Sequence, residues 1–139
     1  MTVSGKPAQT MDALFAKAAL LETTGPQLPV SFPEQHPPFE PPDDGMYLAV
    51  SYFPNRPAWE GLSAGVLDQG LLQVAVVWPK NKGLIAAATV ASQVQSHFAK
   101  GTIMVSGATK VKVTGEPVMA QPIPEDDKVL IPVTIPWTA

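Results

Sequence analysis

Two segments of the chain carry apolar residues at helical spacing. In residues 7–22 the stripe ends before Gly25, and in residues 83–100 a second stripe follows Asn81, the predicted N-cap. The first stripe consists of Met11, Leu14, Phe15, Ala18 and Leu21, and the second of Leu84, Ala87, Ala88, Ala91, Val94 and Phe98. We therefore predict two amphipathic helices, each with one face against a common core.

Strand-forming residues dominate most of the remaining chain. Residues 46–53 and 71–78 are rich in β-branched and aromatic residues and are bounded by turn formers, which predicts two strands. Further strands are predicted at 102–105, 110–114, 117–121 and 129–137. Pro132 and Pro136 each remove a backbone donor from the last strand, so we expect it at a sheet edge or a bulge.

This order of elements predicts an α+β fold in one domain that spans residues 1–139. We expect a mostly antiparallel, mixed β-sheet with two main helices packed on one face. Residues 1–8 are expected to be flexible, and residues 54–70 to form a long loop of the kind that is functional or disordered.

A proline-rich segment at residues 26–45 separates the first helix from the first long strand. Seven prolines between residues 26 and 42 block helix formation there, which favours an extended strap. A mobile linker is the alternative, but Phe32 and Phe39 are spaced to hold an ordered strap against the surface.

Composition excludes several classes of protein. The chain has 139 residues, 45% of them hydrophobic and 15% charged, and a net charge of −3, which fits one globular domain. Arg56 is the sole arginine among nine basic residues, which disfavours binding to nucleic acid. Without cysteine, disulfides and thiolate metal sites are excluded. With neither a membrane-length apolar run nor a signal pattern, we expect a soluble protein folded in a cytoplasm.

The charges are unevenly distributed along the chain. Residues 1–69 hold three basic and eight acidic residues, whereas residues 70–139 hold six lysines and four acidic residues. Chance is one explanation. The other is a pair of oppositely charged surfaces that meet between copies of the chain.

The residues that carry catalytic chemistry are few and scattered. His97 has no carboxylate or histidine partner at helical spacing, and His36 lies beside Glu34 in the proline-rich segment, where we expect it to be solvated. The carboxylates at 43–44 and 125–127 lie in turn contexts, with an acid/base or cation site as the alternative. No nucleophile elbow or phosphate-binding glycine loop is present. We expect no cofactor, no metal and no catalytic residue.

Trp59 is the best candidate for a contact with a partner. It lies in the middle of the predicted loop, where an exposed tryptophan is costly unless a partner covers it. We group Arg56, Leu62 and Phe39 with it as candidate partner or oligomer contacts.

Several sequence runs resemble the tail terminator-like proteins of long-tailed bacteriophages and prophages. The resemblance covers roughly residues 9–139, and its motifs are structural. They are Pro38-Phe39-Glu40-Pro41-Pro42, Met46-Tyr47-Leu48-Ala49-Val50, Gly70-Leu71-Leu72-Gln73-Val74-Ala75-Val76 with Trp78-Pro79, Gly83 with His97-Phe98, and Val133-Thr134-Ile135-Pro136-Trp137.

The resemblance implies a structural virion protein without enzymatic residues. Such proteins are similar in forming rings, usually hexamers, that cap the tail tube, stop its polymerisation and present a surface to the head. The implied partners are other copies of the chain, the tail tube protein and a head-completion or connector protein, assembled in the bacterial host cytoplasm. A head-to-tail joining protein is the main alternative and a small enzyme a more distant one. An enzyme would need a pocket with His36 or His97 and two carboxylates within about 4 Å.

Overall fold

A computed structural model of the protein describes residues 4–54, 58–59 and 66–139. In these residues the chain forms two α-helices, one eight-stranded sheet and a separate two-stranded ribbon. The helices are α1 (Lys6–Ala19), which a 3₁₀ turn continues through Leu20–Glu22, and α2 (Leu84–His97). The strands are β1 (Val30–Ser31), β2 (Tyr47–Pro54), β3 (Ala58–Trp59), β4 (Val66–Leu67), β5 (Gln69–Pro79), β6 (Ile103–Ser106), β7 (Thr109–Val113), β8 (Val118–Met119), β9 (Ile123–Pro124) and β10 (Lys128–Thr138).

The sheet is mixed, and its order is β1-β2-β5-β10-β7-β6, with β8 and β9 also paired to β10. The short pair β1–β2 is parallel and the other pairs are antiparallel. α2 packs against β5 and β10, and α1 packs against β6 and β7, in a single core cluster. The predicted α+β fold class is therefore confirmed.

α1 confirms the first predicted helix. It begins at Lys6, and the 3₁₀ turn carries it to the predicted end at Glu22. The first helical turn therefore includes residues 6–8, although residues 1–8 were expected to be flexible. Pro7 favours the helix there, because it presets a helical φ and its missing N–H is not needed in the first turn. The buried face consists of Thr10, Ala13, Leu14 and Ala18, and Leu21 extends it.

α2 confirms the second predicted helix, with one correction at its start. Gly83, with φ of 88°, occupies the N-cap position, and no side chain caps the helix. Asn81 lies two residues earlier in a turn with φ of 64°, a conformation that asparagine tolerates. At the other end, Phe98 is fully buried and closes the helix against the core.

β10 lies inside the sheet, so the predicted edge position is wrong. It pairs with β5 over its whole length and, on its other side, with the short strands β7, β8 and β9. The carbonyls of Pro132 and Pro136 accept from Ala120 and Thr114 on that second side. The missing proline donors face the same side, because the N–H and C=O of one strand residue point the same way. The long β5 ladder therefore stays intact, and the interruptions fall where the partner strands are short.

α1 connects distant parts of the sheet. Near its start, the Thr109 hydroxyl donates to Gln9 Oε1 (2.8 Å), and the Ser106 hydroxyl donates to Asp12 (2.7 Å). Further along, the Phe15 ring lies 5.2 Å from Phe32, beside the opposite edge strand β1. α1 therefore contacts both the β6–β7 hairpin and the segment that contains β1. No described helix is both long and apolar enough to cross a bilayer.

The proline-rich strap contains β1 and therefore forms one edge of the sheet. Phe32 packs on Phe15, and Phe39 packs on Tyr47 with ring centroids 5.1 Å apart. The backbone N–H of Phe32 also donates to Gln35 Oε1 at 3.0 Å. In the segment predicted as a long loop, β3 and β4 pair with one another, and β5 begins at Gln69, two residues earlier than predicted.

Candidate interaction surfaces

The described residues hold no group of three or more histidine and acidic side chains that could bind a metal ion. His36 is exposed in the strap. His97 lies at the end of α2 and donates from Nε2 to the Lys17 backbone carbonyl (2.7 Å), which connects the two helices. The cavity beside His97 is lined by neutral residues, Thr24, Gly25, Thr89, Ser92, Gln93 and Ser96. No carboxylate lines this cavity, so the cavity lacks the two carboxylates that the enzyme alternative requires beside His97.

The acidic pairs also act as turn residues. The carboxylate of Asp44 accepts from the Met46 backbone N–H at 3.0 Å, which fixes the entry to β2. In the second cluster, Glu125 lies 3.7 Å from the Lys128 ammonium. The turn interpretation is confirmed for Asp44, and both clusters are exposed.

His97 gives the fold a pH dependence. The pKa of this imidazole is lowered from its usual value, mainly because the side chain is partly buried. The hydrogen bond to the Lys17 carbonyl opposes this shift, and the Lys17 charge adds to it. The unfolded chain therefore takes up this proton first as the pH falls below about 6.5. We expect stability to decline through that range, and His97→Gln to reduce the decline between pH 7 and pH 5. Because the side chain is half-exposed, the effect is small. Urea unfolding of both proteins at each pH measures this effect. If the free energy of unfolding fell equally with pH in both proteins, His97 would not be the source of the pH dependence.

An open groove lies between the start of α2 and the segment that contains β9, and its volume is about 630 Å³. Its walls are mainly apolar and include Trp78, Leu84, Pro122, Pro124 and Val129. Leu84 remains about half-exposed, and the adjacent Ile85 is 85% exposed. No histidine or carboxylate lines this groove, so its chemistry suits protein contact rather than proton transfer.

The β6–β7 hairpin presents a mixed apolar and basic surface on its outer side. Cross-strand pairing places Ile103 beside Lys112 and Val105 beside Lys110. The apolar pair are 60% and 59% exposed, while Met104, Val111 and Val113 on the other side of the hairpin are buried. We call Ile103, Val105, Lys110 and Lys112 the hairpin surface.

The strap presents an acidic surface near the other edge of the sheet. Its four carboxylates lie between residues 34 and 44, a stretch without lysine or arginine, and all are exposed. We call Glu34, Glu40, Asp43 and Asp44 the strap surface. Both ion pairs found in the described residues, Lys6–Asp68 and Lys128–Glu125, lie outside the hairpin and strap surfaces.

The structure describes the side chain of only one of the four predicted partner contacts. Phe39 is half-buried against Tyr47 in the strap. The backbone of Trp59 lies in β3, whereas Arg56 and Leu62 lie outside the described residues. Sequence reasoning did not select Ile103 and Val105, although the Lys-Val-Lys-Val alternation of the next strand indicates which side of the hairpin faces water.

Comparison with known proteins now adds to this geometry. The sequence model of a family described as phage tail terminator protein matches residues 9–137. The chain belongs to the phage tail terminator family. This match confirms the resemblance drawn from the sequence runs. As a member, the chain is a structural protein of a phage tail and a component of the virion. The family is structural rather than enzymatic.

Solved structures share the fold of this family member. One superimposes with a TM-score of 0.73 at 25% identity, over 92% of this chain and 94% of the other. A chain described as belonging to the virion of a native gene transfer agent particle superimposes with a TM-score of 0.62 at 13% identity, over 96% of each chain. No curated protein matches by sequence.

Proposed function

We propose that this chain assembles into a ring that caps the phage tail tube, ends tube polymerisation and provides the surface to which the head joins. The observation that carries the proposal is the family match over residues 9–137. In this role the chain acts by shape and contact, catalyses no reaction, and works without a cofactor or metal. We propose a hexamer as the ring, the tail tube protein and a head-completion or connector protein as further partners, and the host cytoplasm as the place of assembly.

The described surface supports a role in assembly. It includes the apolar groove at the start of α2, and several large apolar side chains elsewhere face water. Among the most exposed are Ile85, Val118, Ile103 and Val105. The groove and these side chains are places where a partner could cover apolar surface and remove it from water.

We expect the purified protein to stop the growth of tail tubes. Tube protein from the same phage is polymerised with and without the chain, and tube lengths are measured by electron microscopy. Capping predicts shorter tubes with a ring of extra density at one end, and a length distribution that shifts as the ratio of chain to tube protein rises. Heat-denatured chain is the control. Unchanged lengths and bare ends would contradict the proposal.

A binding comparison distinguishes capping from head joining alone. The tagged chain is presented separately with tube protein and with head connector. Retention of tube protein supports capping, whereas retention of connector without any tube binding would assign the chain to the head-joining step.

A further inference from the structure

We propose that neighbouring copies of the chain contact one another through the hairpin surface of one copy and the strap surface of the next. This inference rests on the proposed ring and specifies its subunit contact. It assigns a second copy of the chain as the partner of both surfaces, and it commits the contact to a head-to-tail arrangement.

The first support is charge complementarity. Lys110 and Lys112 lie in a stretch, residues 98–115, that contains three lysines and no acidic residue. The strap surface contributes four carboxylates between residues 34 and 44, with no lysine or arginine among them. These charges have no oppositely charged partner among the described ion pairs of the chain. Contact between the two surfaces therefore brings unpaired charges of opposite sign together.

The second support is the position of the two surfaces in the sheet. The hairpin surface belongs to the edge strand β6 and its neighbour β7, and the strap contains the opposite edge strand, β1. A contact between two different surfaces is heterologous, and repeating it generates a ring when the rotation closes. A two-fold contact of either surface with itself would oppose like charges, which is unfavourable.

The third support is the apolar content of the hairpin surface. Ile103 and Val105 face water although they lie on an edge strand, where exposed β-branched residues favour association. The flanking lysines restrict which surface can cover them. The strap offers carboxylates beside the half-buried rings of Phe32 and Phe39, a matching combination of charge and apolar area.

Both surfaces are held in place before any partner arrives. The hydroxyls of Ser106 and Thr109 attach the hairpin turn to α1, and Phe32 and Phe39 attach the strap to Phe15 and Tyr47. Preorganisation of this kind reduces the entropy lost on association.

Charge reversal tests the contact. Lys110→Glu with Lys112→Glu makes the hairpin surface acidic. Glu34→Lys with Glu40→Lys and Asp43→Lys leaves one carboxylate on the strap surface and makes that surface basic. We expect each set of substitutions alone to weaken association of the copies by about 100-fold or more, because like charges would then face each other. The chain with all five substitutions regains rings, because the complementary charges are exchanged. Asp44 is left unchanged, since it fixes the turn before β2.

Lys17→Glu with Lys82→Glu is the matched control for the hairpin reversal. It changes the net charge by the same amount at positions that belong to neither surface and do not line the groove at the start of α2. Ring formation is measured by mass photometry and electron microscopy, alone and on tube ends, with circular dichroism as the check on folding. A zero-length carbodiimide cross-link between labelled and unlabelled copies is expected to join the peptides that contain Lys110 or Lys112 to those from the strap.

The outcomes separate this inference from the function on which it rests. If wild-type rings form and the hairpin reversal leaves them intact, the contact is wrong and the ring remains. If the hairpin-reversed chain loses rings and the five-substitution chain does not regain them, the pairing of these two surfaces is wrong. A wild-type chain that stays monomeric both alone and on tube ends overturns the ring together with its contact.

Discussion

Replacing Phe98 with alanine is expected to lower the free energy of unfolding by about 3–5 kcal/mol. Phe98 is fully buried at the end of α2, and among the described residues it is the largest side chain wholly removed from water. Its removal leaves a cavity where the helix meets the sheet, and it also ends the packing that closes the last helical turn. Thermal unfolding should show a melting temperature lower by about 10 °C or more.

Ile85→Ala provides the comparison within the same helix. Ile85 is 85% exposed, so its truncation should change the free energy of unfolding by less than about 0.5 kcal/mol. Urea denaturation of both variants measures the difference. Equal losses for the two would mean that α2 does not pack on the sheet through Phe98, contrary to the fold described above.

The helices and the long strands were predictable because each leaves a periodic pattern. Leu14 and Ala18 recur at helical spacing, and both are buried in α1 as expected. β7 alternates lysine with valine, and its valines are buried. Each pattern reflects only which face of one element is buried, so a short stretch of sequence is enough to predict it.

The position of β10 could not be predicted in the same way. The rule that proline belongs at an edge considers only the lost donor, and Pro132 and Pro136 do lose theirs. Whether that loss matters depends on which neighbour the donor would have faced. Here the donors would face the side of β10 that pairs only with the short strands β7, β8 and β9. That arrangement is known only once the register of β10 with β5 and β8 is known.

The candidate contact surfaces depend on long-range arrangement in a similar way. Ile103-Met104-Val105 is uniformly apolar, so the sequence of β6 does not distinguish its wet side from its buried side. The pairing with Lys110 and Lys112 makes that distinction. The charge imbalance between the two halves of the chain was visible at once, but only the strand order places part of it at opposite edges of the sheet.

Gly70→Ala is expected to destabilise the fold by about 1–3 kcal/mol through overpacking. Gly70 lies in β5 between Pro54 of β2 and Trp137 of β10. A methyl group there would lie 2.6 Å from the Phe53 carbonyl oxygen and 2.7 Å from Trp137 Cζ2. Neither neighbour can move freely, because the first is backbone in a paired strand and the second is 2% exposed and stacked on Tyr52.

Gly115→Ala is the matched control for this clash. A methyl group at Gly115 would meet only one atom within 4 Å, Cγ of the Pro136 ring at 3.2 Å, which can yield by a small shift. We expect little change there, or a gain of a few tenths of a kcal/mol from the reduced freedom of the unfolded chain. Urea unfolding together with tryptophan fluorescence follows both variants. Unchanged stability in Gly70→Ala would show that β2, β5 and β10 do not meet as closely at this point as their register requires, because the clash arises only when all three strands lie side by side.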